Sequence, residues 1–393
     1  MSLVSAGIPY WRLSAFYFFY YALLGGLAPY WSVYLQAQQF GPSEIGQLMA
    51  ILMVTRLLAP NLWGWLGDVA HCRLAMVRAG SFLAFLFFLG FFWSESFWAY
   101  AFFMALFSFF WTAVLPQFEV VTLHNLGGQR ARYSQVRVWG SVGFILTVAG
   151  LGFMLERVSL GWLPVTLLIV LGLIWLTSMQ SLAEPKVART RGGAGFLAIV
   201  RQRPVVAFFL INFLLQLSHG PYYTFYSLYL QSAGYGLDVI GLLWCLGVLA
   251  EVVLFLLMHR LLARFSLRAI IGWSMVLTAA RWALVPLWLD SFWLMALVQL
   301  LHAFTFGAMH AASIEFVHTR FAGPHQGQGQ ALYSSLGFGA GGSAGALLSG
   351  VLYEMSGGSV TFMAGALAAA LAIPLAYWGL RESQARRNEA IQG

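Results

Sequence analysis

Long apolar runs alternate with short polar breaks along the chain, and the runs recur at the length of a membrane-crossing helix, about 20 residues. Twelve spans are predicted, at about 10–36, 43–67, 73–94, 97–123, 132–156, 161–181, 204–231, 238–260, 267–289, 292–318, 327–352 and 359–380. Most breaks are a few residues long, which predicts antiparallel neighbouring helices. Composition agrees: of 393 residues, 60% are hydrophobic and 9% charged, against roughly 25% charged in a soluble domain. The expected fold class is all-α integral membrane. A signal peptide would explain only the first run, and no cleavage signature follows it.

The pattern is written twice. Segment 32–46, SVYLQAQQFGPSEIG, and segment 227–241, SLYLQSAGYGLDVIG, share seven of fifteen residues at an offset of 195. WSESFW at 93–98 and WLDSFW at 288–293 repeat at the same offset. Two matches in one register predict pseudo-symmetric, parallel six-helix halves, an arrangement that places a substrate site near the midplane, between the halves. The expected organisation is a first half at 1–181, a linker at 182–203, a second half at 204–380 and a tail at 381–393.

Charge sets the orientation. The loops after the odd-numbered spans hold one arginine, Arg157, whereas the opposite ends hold fourteen arginines, Arg73 through Arg387, and Lys186. The positive-inside rule then puts both termini in the cytoplasm, and the expected location is a bacterial-type inner membrane. The net charge of +8 reflects topology, so no nucleic-acid partner is expected. The linker's cationic residues would favour anionic lipid heads. Cys72 and Cys245 are isolated thiols that form neither a disulfide framework nor a metal site. No metal or other cofactor is expected.

Ionisable groups at midplane depth are costly unless paired or facing water, which makes them functional candidates. Arg56 lies twelve residues after Glu44, about 18 Å along a helix. Glu251 lies thirteen after Asp238 and is the repeat equivalent of Arg56; Arg281 lies thirteen after Arg268. A buried ion pair that only fixes packing is the competing reading. Asn212, Gln216, His219, Tyr223 and Tyr226 share one helical face of the seventh span. Gln299 and His302 form a similar stripe in the tenth, with Thr305 and His310 less well aligned. Interhelical hydrogen bonding alone would also suit the histidines. Glu119 and Arg137 lie on consecutive spans joined by a short loop, which allows a charged pair across them.

The stretch LPQFEVVTLHNLGGQRARYSQVRVWGSVGF, at 115–144, is similar to the segment joining helices four and five of lactose permease and its relatives. Glu119, three residues after Pro116, and Arg137, ahead of Trp139 and Gly140, match that family's substrate-binding glutamate and arginine. Phe144 stands where the family has a sugar-stacking tryptophan. GWLGDVAHCR at 64–73 resembles the loop motif of the major facilitator superfamily, with Gly64, Asp68 and Arg73 in the gating positions. Glu251, Arg281 and His302 match the permease's buried glutamate, arginine and histidine, while Thr305 and Gln299 replace its carboxylate and lysine. HGPYYTFYSLYLQSAGY, LGVLAEVVLF and QVRVWGSVGF resemble the 3-phenylpropionate permease branch of the superfamily, and this likeness covers nearly the whole chain.

The resemblance implies proton-coupled uptake of a small aromatic carboxylate by alternating access. An arginine added at position 56 suits an anion through charge-assisted pairing. Substrate contacts are expected at Arg56, Glu119, Arg137, Phe144, His219, Tyr223, Tyr226, Arg281 and His302. Proton coupling is expected at Glu251, Glu119 and His302, because burial and a nearby arginine pull a carboxylate's protonation in opposite directions. Partners are the small-molecule substrate, protons and membrane lipid, and a monomer is expected. A sugar or nucleoside symporter remains open through Glu119 and Arg137; a transport-inactive sensor on the same fold is the reading from another class. Export is disfavoured because GSVGFILTVAGLGF in the fifth span lacks the Gly-Pro pair of antiporters. An enzyme is not expected: no HExxH appears and the histidines are scattered.

Overall fold

A backbone in lipid must satisfy its own hydrogen bonds, so each long apolar run becomes a helix. The computed structural model describes residues 8–127, 129, 132–180, 182–185 and 195–381, except the side chains of Asp68 and Pro324. Arg130, Lys186, Arg189, Arg191, Arg386 and Arg387, residues 186–194 of the linker and the tail after Arg381 lie outside the described residues.

The helices are α1 (Tyr10–Ala37), α2 (Pro42–Ala70), α3 (Arg73–Phe88), α4 (Phe97–Leu126), α5 (Tyr133–Leu155), α6 (Trp162–Ser178), α7 (Phe196–Val200), α8 (Arg203–Ser218), α9 (Gly220–Ser232), α10 (Leu237–Arg264), α11 (Leu267–Leu287), α12 (Phe292–Leu300), α13 (Met309–Arg320), α14 (Gln326–Ser334) and α15 (Gly342–Pro374). π-helical turns follow α12, α14 and α15, at Ala303–Ala308, Ser335–Gly341 and Leu375–Gly379. Among the described residues there is no strand.

Nine stretches among the described residues are long and apolar enough to cross a membrane. Three differences separate that number from the twelve spans predicted. Helix α1 is long enough, at 28 residues, but its tyrosines and serines dilute its hydropathy. Helix α6 is apolar but only 17 residues long. The stretch Gln326–Gly379 runs for 54 residues and breaks at Gly357, where φ is 75° and ψ is 179°. Two predicted spans meet at that break. The positive φ is cheap for glycine and strained for any side chain.

Local chemistry sets the helix starts. Pro42 opens α2, and the Gly41 amide donates to Glu44 Oε2 at 2.9 Å. Ser96 Oγ accepts from the Ala99 amide at 3.3 Å, and Ser266 Oγ from the Ala269 amide at 3.2 Å. These caps satisfy amides that a helix start leaves open.

By contacts the chain forms two compact units. The first comprises Met1–Arg189 with Leu230–Cys245, and the second Thr190–Tyr229 with Leu246–Gly393. In the first, α1 packs on α5 and α6, α4 on α2 and α3, and α3 on α6. Segment Leu230–Cys245 joins this unit through α5: the Leu237 amide donates to Glu156 Oε2 at 2.5 Å. In the second, α8 packs on α15, and α11 on α13 and α15.

One seam repeats. A Cβ on Gly25 of α1 would lie 2.7 Å from the Phe144 carbonyl oxygen of α5. Gly220, 195 residues later, opens α9, and a Cβ there would lie 2.3 Å from the Gly345 carbonyl carbon of α15. At both places only a bare Cα lets the backbones approach this closely.

Candidate functional site

The first unit places a polar cluster where α1, α4 and α5 meet. Glu119 of α4 accepts from the Tyr133 hydroxyl at 3.2 Å. Arg137 of α5 donates to the Tyr21 hydroxyl, and its guanidinium lies 3.9 Å from the Tyr21 ring centroid. Tyr17 contributes a second ring, 5.7 Å from the same guanidinium. The cluster thus pairs the carboxylate and the guanidinium each with a tyrosine rather than with each other. One helical turn explains the assembly: Tyr133 lies four residues before Arg137, and Tyr17 four before Tyr21. Trp139 Nε1 donates to the Tyr10 hydroxyl at 2.9 Å, tying the same two helices together nearer their ends.

Arg56 of α2 is half-buried. Among the described residues it has no hydrogen-bond or ion-pair partner. Phe144 is mostly buried on the α1–α5 seam, with its backbone against Gly25.

The second unit centres on Arg281 of α11, which is fully buried. Its Nη1 donates to His302 Nδ1 and to Thr305 Oγ1, each at 2.9 Å, and its Nη2 donates to Gln299 Oε1 at 2.9 Å. Tyr222 and Trp282 each hold a ring centroid 4.5 Å from the guanidinium. The π-helical turn Ala303–Ala308 begins directly after His302 and carries Thr305. Turns of this kind recur at functional sites, because the extra residue re-aims the side chains.

The tautomer of His302 follows from its neighbour. A guanidinium only donates, so Nδ1 must accept and the ring proton sits on Nε2. That nitrogen lies 3.5 Å from Glu251 Oε2 on α10, a carboxylate 15% exposed. The unit therefore holds a chain of groups, Arg281 to His302 to Glu251, in which a neutral imidazole separates a cation from a carboxylate. Two donors of this network, Arg281 Nε and Gln299 Nε2, are buried without a hydrogen-bond partner among the described residues.

The predicted stripe on the seventh span divides. Asn212 is absorbed into packing, donating to the Phe208 carbonyl at 2.9 Å and accepting from Ser313 Oγ at 3.2 Å. His219 is fully buried between α8 and α9, with Nδ1 2.8 Å from the Leu215 carbonyl. That carbonyl can only accept, so the proton is on Nδ1 and the bare Nε2 has no partner among the described residues. Tyr223 stacks on His219 at 5.9 Å and is partly exposed, whereas Tyr226 is fully buried near Tyr222 and Phe362. His310 lies 3.0 Å from the Tyr333 hydroxyl and connects to His302 through a ring stack, with Phe306 5.5 Å from His302 and 5.8 Å from His310.

At the end of the first unit, Arg73 is buried and donates to Gln117 Oε1. Gly64 and Gly67 face the same glutamine, within 4.0 and 2.9 Å of an added Cβ. The Asp68 side chain lies outside the described residues. The sequence does carry one Gly-x-Ser-x-Gly string, GGSAG at 341–345, but it runs into a helix and Ser343 Oγ donates to the Ala340 carbonyl at 3.1 Å. A nucleophile elbow would need a strand-to-helix turn. Among the described residues no group of His, Cys, Asp or Glu could hold a metal ion.

Sequence reasoning missed Tyr21, Tyr133, Tyr222 and Trp282. Each sits within one helical turn of, or beside, a residue it did single out, or four residues from another aromatic. That spacing was the available signal.

Twin helical units whose membrane-embedded charges converge on polar clusters define a class, the secondary transporters built from two repeats. Residues 10–364 match the model of the MFS_1 like family, and the chain belongs to that family; it is a membrane transporter of the major facilitator type. It is 29% identical over 350 residues to the probable 3-phenylpropionic acid transporter of Escherichia coli (strain K12), covering 88% of this chain and 91% of that one. It is 24% identical over 351 residues to the maltose permease of Geobacillus stearothermophilus, covering 86% of each chain. The crystal structure of the nucleoside transporter NupG superposes with a TM-score of 0.81 at 16% identity, covering 95% of this chain and 99% of that one.

Proposed function

We propose that the protein is a proton-coupled importer of a small organic anion, with an aromatic carboxylate of the phenylpropionate type as substrate, working by alternating access. The observation that carries the anion reading is Arg56, a guanidinium mid-way along a membrane helix with no hydrogen-bond or ion-pair partner among the described residues. An unpaired cation at that depth costs several kcal/mol unless it meets an anion or water. Arg281 Nε and Gln299 Nε2 support the same reading, as buried donors without an acceptor among the described residues. The similarity to a transporter named for 3-phenylpropionic acid is a second, independent support.

Glu251 is the proposed proton carrier. While ionised, it balances the charge of Arg281 through neutral His302. A proton on Glu251 leaves Arg281 uncompensated, which strengthens the site's attraction for an anion. Linkage makes the converse hold: a bound anion favours the proton. Proton and anion then move together, and neither moves well alone.

The first unit favours one second reading. Glu119 and Arg137, each paired with a tyrosine hydroxyl, offer the acceptors and donors that a sugar or nucleoside hydroxyl needs. Proteoliposomes with an inward proton gradient test both. Gradient-driven accumulation of labelled 3-phenylpropionate, with no competition by sugars or nucleosides, is the expected result. Accumulation of a sugar or nucleoside instead would overturn the anion reading, and binding without accumulation would make the protein a sensor.

A further inference from the structure

Away from both polar clusters, the second unit carries an apolar groove of about 390 Å³ between α8 and the π-helical turn Leu375–Gly379. Val206, Leu210, Pro374, Leu375 and Trp378 line it, and Arg203 stands at its rim. The sequence builds this groove locally. Gly379 lets the turn sit against α8, where an added Cβ would lie 2.5 Å from Ala207 Cβ. Val206, Leu210 and Trp378 remain 43%, 47% and 58% exposed, so the apolar floor is open.

The rim is cationic. Arg203, the first residue of α8, is exposed and has no hydrogen-bond or ion-pair partner among the described residues. The guanidinium groups of Arg268 and Arg381 lie 4.7 and 5.2 Å from the ring centroid of Tyr377, which precedes Trp378 in the π-helical turn but does not line the groove. No Asp or Glu occurs in 195–210, 264–272 or 372–381. Glu382, the next acidic residue along the chain, lies outside the described residues.

We propose that this groove is a binding site for an anionic phospholipid, with one acyl chain against Val206, Leu210 and Trp378 and the phosphate on Arg203. Arg203 favours an anionic head over a zwitterionic one, and Arg268 and Arg381, gathered on Tyr377 of the same π-helical turn, add to the basic charge that attracts anionic lipid. An inorganic anion would use Arg203 alone and leave the apolar floor uncovered.

The test uses the full-length protein purified in mild detergent, offered phosphatidylglycerol, phosphatidylcholine or inorganic phosphate. Native mass spectrometry reads bound lipid, and thermal unfolding reads stabilisation. The expected result is a phosphatidylglycerol adduct, retained at least fivefold more than phosphatidylcholine, together with a raised Tm. Arg203→Gln should lose that preference and Arg203→Lys should keep most of it. Val206→Trp, which fills the groove from an exposed position, should reduce retention of both lipids while the fold, checked by circular dichroism, is unchanged. Equal retention of the two lipids, full stabilisation by phosphate alone, or unaltered phosphatidylglycerol binding by both Arg203→Gln and Val206→Trp would overturn the proposal. A dimer forming in place of a lipid adduct would overturn it too.

Discussion

Arg281 Nη1 donates to His302 Nδ1 at 2.9 Å, which leaves the imidazole proton on Nε2, facing Glu251 Oε2 at 3.5 Å. The arginine sets the tautomer and the tautomer sets the carboxylate's partner. Three helices, α10, α11 and the segment after α12, meet through this one relationship.

Glu251→Gln should abolish accumulation driven by a proton gradient. Exchange of labelled for unlabelled substrate down its own gradient should survive, because the amide still accepts from His302 Nε2. Parallel counterflow and gradient-driven uptake assays in proteoliposomes check this. Equal loss of both activities would assign Glu251 to binding rather than coupling.

Arg56→Gln should raise KM for a carboxylate substrate at least tenfold, equivalent to about 1.4 kcal/mol. Binding of the matching amide, which carries no charge, should change little. Competition by 3-phenylpropionate and 3-phenylpropionamide in the same preparation measures the two effects. A uniform loss for both ligands would mean that Arg56 shapes the helix rather than meets the anion.

Arg281→Met should destabilise the protein by about 3–5 kcal/mol, because it removes the buried cation that faces the Glu251 carboxylate across His302. Adding Glu251→Gln should recover part of that loss, and the double-mutant cycle then gives the coupling between the two positions. Thermal unfolding of the purified proteins is the readout. Full additivity would show that the two charges do not sense each other through His302.

Gly220→Ala should cost about 1–3 kcal/mol, the usual penalty for forcing a methyl group into a packed seam. Gly25→Ala, its repeat partner, should behave in the same direction, since both would press a Cβ into a facing backbone. Gly150→Ala is the control: an added Cβ there meets nothing within 4 Å, and helix propensity alone predicts a gain of up to about 1 kcal/mol. Melting temperatures of the three variants test the seam. A Gly220→Ala protein as stable as the control would remove the close-approach argument.

Much of this protein could be read from its sequence. A lipid-embedded chain has one local solution, the helix, so the apolar runs located most of the membrane passes without any long-range information. Length and mean hydropathy alone pass over α1, where hydropathy is diluted, and α6, where the run is short, and they merge two runs across Gly357; the polar breaks in the sequence marked all four spans. The repeat at an offset of 195 exposed the paired positions Arg56 and Glu251; the glycine pair at the same offset, Gly25 and Gly220, emerged only in three dimensions.

Tertiary structure decided the partners. Glu119 and Arg137 were legible as a charged pair across neighbouring helices, yet each hydrogen-bonds a tyrosine hydroxyl, Tyr133 on the arginine's own helix and Tyr21 on a third. Asn212 belonged to a polar stripe by spacing, but its amide is spent on Phe208 and Ser313. Arg281 gathers groups 18 to 24 residues away in sequence, and no local pattern says which of them will face it. Hydropathy acts within one run and settles the helices. Which face meets which neighbour depends on side-chain packing between runs far apart in the chain, and that is where the chemistry of the two clusters was determined.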